Sequence, residues 1–408
     1  MRTRVAWFAV LVFTPLWTPA AVAQTVLSEA DAVARLSADS PRVKAIRSVV
    51  DVARAEVLNV GRWPNPRLNV DRESVAGVSE TLTTVLQPLP ITGRRTLERA
   101  SATAIADATA RRAGDAVRRA RADLRLAFAD LVVAQVRERE LTRSRDRLQE
   151  LARILEKRET AGDAAGFDRL RAEREVLDVE ADRVIAAADR TRAQARLASF
   201  FAATTDAATL VAEERLTGAH DLPPVEILFE RAQSTRGESL ALQKEIDSAR
   251  LLGQAADRRR IPEPEIMAGT KSSNLGSGDV GSVLSIQAVL PLFDRGHPER
   301  AIAEARANQA STELEALRIT LRADIVAARA AAVERRRAAE RYREAALTNS
   351  GEVERIAQVS YDAGERGILE LLDAYRTSSA ARVRQAALDA TARESEIELE
   401  FISGWEIP

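Results

Sequence analysis

Two stretches of the sequence decide the fold: AGDAAGFDRLRA at residues 161–172 and AGERGILELLDA at residues 363–374. They align without a gap, and the offset between them is 202 residues (363 − 161). Each stretch places a glycine pair between two segments of helical character, so each is expected to be the turn of a helical hairpin. We call these two turns the tips.

Further landmarks repeat in the same order. The sequence PNP at residues 64–66 corresponds to PEP at residues 262–264 with an offset of 198, and Pro90 corresponds to Pro291 with an offset of 201. A repeat of about 200 residues is far longer than the unit of a solenoid, so the chain is interpreted as a duplicated domain. The two predicted copies are residues 24–222 and 223–408.

Both copies predict the same order of elements: a half-length helix, two strands, a long helix, a glycine break and a second half-length helix. At about 1.5 Å per residue each long helix would reach roughly 95 Å, and two half-length helices placed end to end would match it. This predicts a wall of helices with a belt of loops and termini at mid-height. The predicted helices are residues 28–60, 96–160, 167–201, 225–259, 298–362 and 368–401.

The helical segments also carry a coiled-coil pattern with small side chains. Alternating steps of four and three residues connect Leu177, Ala181, Val184, Ala188, Thr191, Ala195 and Ala198. Such a seam lets neighbouring helices approach closely. The same periodicity fits an ordinary coiled-coil rod, and periodicity alone leaves that alternative open.

Four predicted strands argue against a simple rod. They cover residues 67–76, 81–90, 265–272 and 282–290, and one side of each is apolar, as in the alternation of Leu284 and Ile286 with Ser285 and Gln287. This length and alternation are typical of transmembrane β-strands. Four strands cannot close a barrel, and an open sheet edge is not tolerated in lipid, so several chains would have to share one barrel.

The N-terminus and the composition restrict the compartment and the class of function. Residues 1–23 have a basic start, an apolar run and an Ala-Val-Ala end, which predicts a cleaved signal peptide rather than an uncleaved anchor. The chain contains no cysteine, and its 60 basic and 61 acidic residues nearly cancel. No disulfide or thiolate site is therefore possible, and a nucleic-acid partner is not expected.

The residues now resemble those of a known family. QPLPITGRR at residues 87–95 and YDAGERGILELLDA at residues 361–374, together with the signal peptide and the duplication, are similar to the TolC-like outer-membrane factors. The resemblance covers residues 24–405, and the first motif is closer to the metal-efflux (CzcC-like) branch than to the drug-efflux branch. The chain lacks the N-terminal lipidated cysteine of many relatives.

This resemblance implies an architecture and a function. The fold would be mostly α with a small β part: duplicated long-helix hairpins form an α-helical barrel, and four strands per chain contribute to a shared twelve-stranded β-barrel of a homotrimer. The trimer would lie in outer-membrane lipid, extend through the periplasm, and dock on a periplasmic adaptor protein and an inner-membrane pump. Its role would be that of a passive exit duct.

Specific residues are candidates for function at the tips. Glu370 and Asp373 are three residues apart on one helical face, and in a threefold tube they would form two acidic pore rings that select cations. The resemblance places Asp168, Tyr361 and Arg366 where relatives hold the tip shut. The alternatives are a solvated helix face for the first pair and incidental surface charge for the second set. The copies differ here, since the first has Ala164 and Arg171 in place of Arg366 and Asp373.

The sequence gives few further candidates for function. Trp63 precedes the first strand and is a possible membrane-interface anchor, although packing under the barrel is an alternative. His220 and His297 are far apart without other ligands nearby, so neither a metal site nor a cofactor is expected. The sequence shows no phosphate loop or nucleophile elbow, so an enzyme is not expected. The competing functions are a periplasmic adaptor and a structural coiled-coil protein without a pore.

Overall fold

The computed structural model describes residues 25–162, 166–214, 216, 221–276 and 278–405. The signal peptide predicted at residues 1–23 lies outside this part of the chain. The described residues are mostly helical with a small β part, as the sequence predicts, and their strands form a four-stranded and a two-stranded sheet. None of the described helices is both long enough and apolar enough to cross a membrane.

The elements of the two halves follow the same order. The first half contains β1 (Thr25–Leu27), α1 (Glu29–Arg35), α2 (Pro41–Asn59), β2 (Arg67–Val75), β3 (Val78–Pro88), α3 (Arg94–Thr160), α4 (Gly166–Ala198) and β4 (Leu210–Ala212). The second half contains α5 (Val225–Thr235), α6 (Gly237–Asp257), β5 (Pro264–Ser273), β6 (Val280–Ala288), α7 (His297–Tyr342), a π-helical segment (Arg343–Leu347), α8 (Thr348–Asp362) and α9 (Ile368–Ser403).

The structure matches the predicted long helices and the half-length helices 167–201 and 368–401, whereas the predicted half-length helices 28–60 and 225–259 are each broken in two. Helix α3 has 67 residues and is therefore about 100 Å long. The predicted helix 28–60 is broken into α1 and α2, because Ser40 caps the amide of Val43 at 3.2 Å and Pro41 starts a new helix. The predicted helix 225–259 is broken before Gly237, where a side chain would collide with the carbonyl oxygen of Arg111 on α3.

The four long strands form one antiparallel sheet in the order β2-β3-β5-β6. The central pair β3–β5 joins the two halves of the chain. Strand β3 begins three residues earlier than predicted, because Ala76 and Gly77 alone make the turn with φ of 49° and 82°. Two consecutive positive φ angles are the signature of a type I′ hairpin, and alanine rarely adopts them.

The sheet has two chemically different faces. Register places Leu68, Val85, Ala268 and Leu284 side by side in one row across all four strands. We call this the apolar face, and its large side chains are exposed in the single chain. Its apolar members include Leu68, Val70, Val85, Ile266, Ala268, Leu284 and Ile286.

The opposite side is the polar face. On it the Arg67 guanidinium pairs with Glu265 at 2.8 Å, and the Lys271 ammonium pairs with Glu80 at 2.7 Å. Both pairs join neighbouring or next-neighbouring strands, so they stabilise the register as cross-strand charge pairs do. An apolar face opposite a polar one is the pattern of a sheet with lipid on one side and water on the other.

A belt lies where the N-terminal strand meets the loop after α4. Strand β1 pairs in parallel with β4, and glutamines from the adjacent helices complete the β4 edge. Gln135 of α3 donates to the Ala212 carbonyl at 2.9 Å and accepts from the Ala212 amide at 2.8 Å, while Gln194 of α4 donates to the Leu210 carbonyl at 2.8 Å. These side chains satisfy backbone groups that a two-stranded sheet would leave buried and unpaired.

A buried ion network connects α1, α3 and α9 beside this belt. The Arg393 guanidinium contacts Glu29 at 3.0 Å and Glu396 at 3.0 Å, and Arg125 contacts Glu29 at 2.5 Å and also pairs with Glu400. Burial opposes the charged form of Glu29, but the hydrogen bonds and charges of Arg393 and Arg125 outweigh it and hold its pKa below the ordinary value. For Glu400 burial dominates and raises the pKa. The network therefore ties the N-terminal helix to the long helices.

Removing Arg393 should destabilise the belt strongly. The variant Arg393→Ala removes one of the two arginines that contact Glu29 and one charge partner of Glu396, and breaking a buried pair costs up to about 3–5 kcal/mol. We expect a clear fall in the temperature at which the helical circular dichroism signal is lost in detergent. The matched control Arg318→Ala removes an exposed arginine of α7 and should change stability by less than about 0.5 kcal/mol. Equal melting temperatures for the two variants would contradict this account of the network.

Candidate functional site at the helical tips

The two tips begin with the same backbone geometry. Gly162 follows α3 with φ of 97°, and Gly364 follows α8 with φ of 73°. In each tip the preceding alanine amide donates to a carbonyl four residues back, from Ala161 to Lys157 at 3.1 Å and from Ala363 to Val359 at 3.0 Å. The left-handed glycine ends the helix, which is the usual reason for glycine at this position. Residues 163–165 of the first tip lie outside the described part of the chain.

Tyr361 occupies the apolar core between the two hairpins. Its side chain packs with leucines and alanines of α3, α4 and α9 and is only 8% exposed. The guanidinium carbon of Arg158 lies 5.9 Å from the centre of the Tyr361 ring. Burial, and secondly the negative charge of Asp168, raise the pKa of the Tyr361 hydroxyl. The ring therefore lies close to a cation of α3 and in the electrostatic field of an anion of α4.

The structure brings together only two of the three predicted gate residues. Asp168 lies in the first turn of α4 and acts electrostatically on Tyr361. Arg366 lies in the turn between α8 and α9, where its amide donates to the Ser360 carbonyl at 3.3 Å and its side chain is exposed. Among the described residues its guanidinium has no ion-pair partner. Any link made by Arg366 would therefore involve a group outside these residues, such as another copy of the chain.

Glu370 and Asp373 lie on the outward side of α9. The residues between and around them, Ile368, Leu371 and Leu372, are buried against the other tip helices. Glu370 and Asp373 are both exposed, and neither forms an ion pair with a described residue. The two carboxylates are therefore displayed on one side of the tip, as the spacing of three residues predicts.

Sequence reasoning missed the charged contacts that join the two hairpins above the tip. Arg376 of α9 donates to Glu175 of α4 at 2.5 Å, and Glu175 is buried. Arg382 of α9 lies 3.3 Å from both Glu140 of α3 and Glu354 of α8. These partners are 201, 242 and 28 residues apart in the chain. The two long separations leave no local signal, because the spacing of charges indicates a contact only within one helix.

The remaining sequence candidates are spread along the molecule. Trp63 is 65% exposed and lies four residues before β2, at the helix-side end of the sheet. His297 starts α7, and His220 lies outside the described residues. Within the described ranges no three metal-binding side chains come together. Among the described residues, the candidates for function therefore lie at two places, the tips and the sheet.

Comparison with known proteins finds similarity to the same family as the motifs. Residues 228–405 match the family described as Outer membrane efflux protein. The cobalt-zinc-cadmium resistance protein CzcC of Cupriavidus metallidurans is 24% identical over 340 residues, which cover 82% of this chain and 80% of the relative. The resemblance predicted from residues 87–95 and 361–374 is confirmed.

Solved structures share the fold. A membrane protein from Pseudomonas aeruginosa superposes with a TM-score of 0.76 and 19% identity, covering 92% of this chain and 90% of the other. The outer membrane protein VceC from Vibrio cholerae gives a TM-score of 0.73 with 16% identity, covering 92% and 96%. The predicted fold class, long helical hairpins with a small sheet as in the TolC-like channels, is confirmed.

Proposed function

We propose that this chain, which matches the Outer membrane efflux protein family over residues 228–405 and has the fold of the TolC-like outer-membrane factors, is an outer-membrane exit duct. It would conduct substrates passively from a pump and an adaptor across the periplasm and the outer membrane. The observation that carries this proposal is the sheet: four long strands with an exposed apolar face, placed at one end of helices about 100 Å long.

A homotrimer follows from the edges of this sheet. Within the described part of the chain, strands β2 and β6 each pair on one side only. A membrane sheet must close, because unpaired backbone groups are too costly in lipid. Three copies would supply twelve strands and leave no strand edge unpaired. In the same trimer the wall of helices would close into an α-helical barrel. Trp63 would then lie at the level of the membrane interface.

In this proposal the chain acts together with partner proteins. The duct performs no chemistry, and its specificity would come from an inner-membrane pump and a periplasmic adaptor docked at the tips. The signal peptide at residues 1–23 would direct the chain out of the cytoplasm, and two repeats, 24–222 and 223–408, would build the tube. Metal-ion cargo is favoured by the relative CzcC, whose name refers to cobalt, zinc and cadmium resistance. The exposed acidic pair Glu370 and Asp373 is compatible with cations.

The alternatives explain less of the structure. A coiled-coil rod or a periplasmic adaptor has no need of a sheet whose apolar face is exposed to solvent. Exposed apolar surfaces of this kind mark contacts with a membrane or with another protein. The duct is tested by inserting the purified protein into planar lipid bilayers: ion-conducting pores support it, and an absence of conductance from a correctly folded, detergent-stable protein would contradict it.

The tip gate should open when its charges are removed. In the double variant Asp168→Asn with Arg366→Gln, we expect a higher single-channel conductance, because links between neighbouring helices at the tip are lost. Exposed ion pairs contribute only about 0–1 kcal/mol each, so the closed tip is easily destabilised. The measurement is single-channel current in planar bilayers at fixed voltage.

A matched control separates the gate from general charge effects. Arg174 and Asp178 form an exposed pair at 3.5 Å on α4, away from the tip. The variant Asp178→Asn with Arg174→Gln makes the same chemical changes and should conduct like the unaltered protein. An unchanged conductance in the tip variant, with its oligomer intact, would place the gate elsewhere.

The acidic rings should set cation selectivity. Glu370→Ala with Asp373→Ala should weaken the preference for cations and remove block by trivalent cations, because six carboxylates around a narrow tip create a strong negative field. Salt should screen the effect, since the Debye length falls from about 10 Å at 0.1 M to about 3 Å at 1 M. Reversal potentials and block by a trivalent ion are measured at both salt concentrations.

The control for the rings removes two acids from the shaft. Asp324 and Glu334 are exposed on α7, and the variant Asp324→Ala with Glu334→Ala has the same change of charge. It should keep both the selectivity and the block. If the tip variant also keeps them, Glu370 and Asp373 face away from the pore.

A further inference from the structure

A cavity lies where the sheet meets the helices. Its volume is about 800 Å³, and its walls come from the start of β2, the start of α3, the arginine-rich turn after α6 and the segment after β6. Five arginines and three carboxylates line it, so the lining carries an excess of two positive charges. The arginines are Arg67, Arg94, Arg95, Arg258 and Arg259, and the carboxylates are Glu263, Glu265 and Asp294.

The carboxylates neutralise only three of these arginines. Arg67 pairs with Glu265 at 2.8 Å, Arg94 pairs with Glu98 at 2.6 Å and with Glu263 at 3.5 Å, and Arg259 pairs with Glu299 at 2.6 Å and with Asp294 at 3.5 Å. The positive charges of the other two arginines of the lining, Arg95 and Arg258, are therefore not neutralised by these carboxylates.

Arg95 and Arg258 have no carboxylate partner among the described residues. Arg95 donates one bond to the Arg62 carbonyl at 2.5 Å, but its Nε is buried and makes no hydrogen bond to a described residue. A buried donor without an acceptor costs about 1–3 kcal/mol, so an acceptor at this place would stabilise the protein. The cavity therefore favours an anion.

One wall of the cavity is apolar and faces outward. It is the segment of residues 289–293, Val-Leu-Pro-Leu-Phe, directly after β6. Its four larger side chains are exposed, and Phe293 is 98% exposed in the single chain. The segment connects the end of β6 to the helices. Basic and apolar groups are thus adjacent at the level where the sheet ends.

We propose that this cavity binds an anionic phospholipid, with the phosphate on Arg95 and Arg258 and the acyl chains along residues 289–293. A guanidinium is planar and matches the geometry of a phosphate, and basic side chains at the membrane surface attract acidic headgroups. A free phosphate ion would use the arginines but gain nothing from the apolar wall. The inference rests on the proposed function, because it requires the sheet to lie in a membrane.

The test is lipid binding to the purified full chain in detergent, measured by native mass spectrometry. We expect phosphatidylglycerol to bind more tightly than the zwitterionic phosphatidylcholine. In Arg95→Gln with Arg258→Gln, the affinity for phosphatidylglycerol should fall roughly 25-fold, since each arginine near an anionic lipid contributes about a factor of five. The control Arg47→Gln with Arg318→Gln removes two exposed arginines of α2 and α7 and should bind lipid normally.

Several results would overturn the lipid site. They are equal binding of the two lipids, equal affinity in the Arg95 and Arg258 variant and its control, and displacement of phosphatidylglycerol by inorganic phosphate at the same concentration. Dissociation of the oligomer in the Arg95 and Arg258 variant alone would show that the cavity belongs to an interface between copies. Conductance in planar bilayers is recorded in parallel, so that a failed lipid site with an intact pore is distinguished from a failed duct.

Discussion

The unpaired edges of β2 and β6 are the constraint on which the rest of the structure depends. Within one chain, the four long strands satisfy their backbone groups on the inside of the sheet and leave both outer edges open. An open edge is a liability in water and is not tolerated in lipid. The exposed apolar face makes lipid the natural surroundings of this sheet. Under the proposed function, identical copies would close the sheet and pair its edges, and lipid would cover its apolar face.

The arrangement of the helices is compatible with such a closed sheet. The pair β3–β5 joins the two halves, so each half contributes one hairpin to the sheet and one set of helices below it. At mid-height the buried network of Glu29, Arg125 and Arg393 fixes the N-terminal helix to the long helices. At the far end Tyr361 is buried, whereas Glu370 and Asp373 remain exposed. The charged groups at the belt are therefore paired within the chain, whereas the two carboxylates at the tip are exposed to solvent.

Local signals explain what the sequence predicts well. The glycines at 162 and 364 predict the tips, and the alternation around Leu284 predicts a two-faced strand. The break between α1 and α2 also has a local signal, because Ser40 is a capping residue and Pro41 favours the first turn of a helix. Other features have no local signal. Ala76 adopts a positive φ because the two-residue hairpin turn requires it, and Glu29 contacts Arg393, which is 364 residues away in the chain. Such contacts depend on the completed fold.

The mass of the folded complex in detergent tests the central claim most directly. The account predicts a single species with three times the mass of one processed chain, together with a β-sheet signal in circular dichroism, because four strands per chain close only when copies share a barrel. A monodisperse monomer or dimer that retains the full β-sheet signal would contradict it, since the edges of β2 and β6 would then be satisfied in some other way.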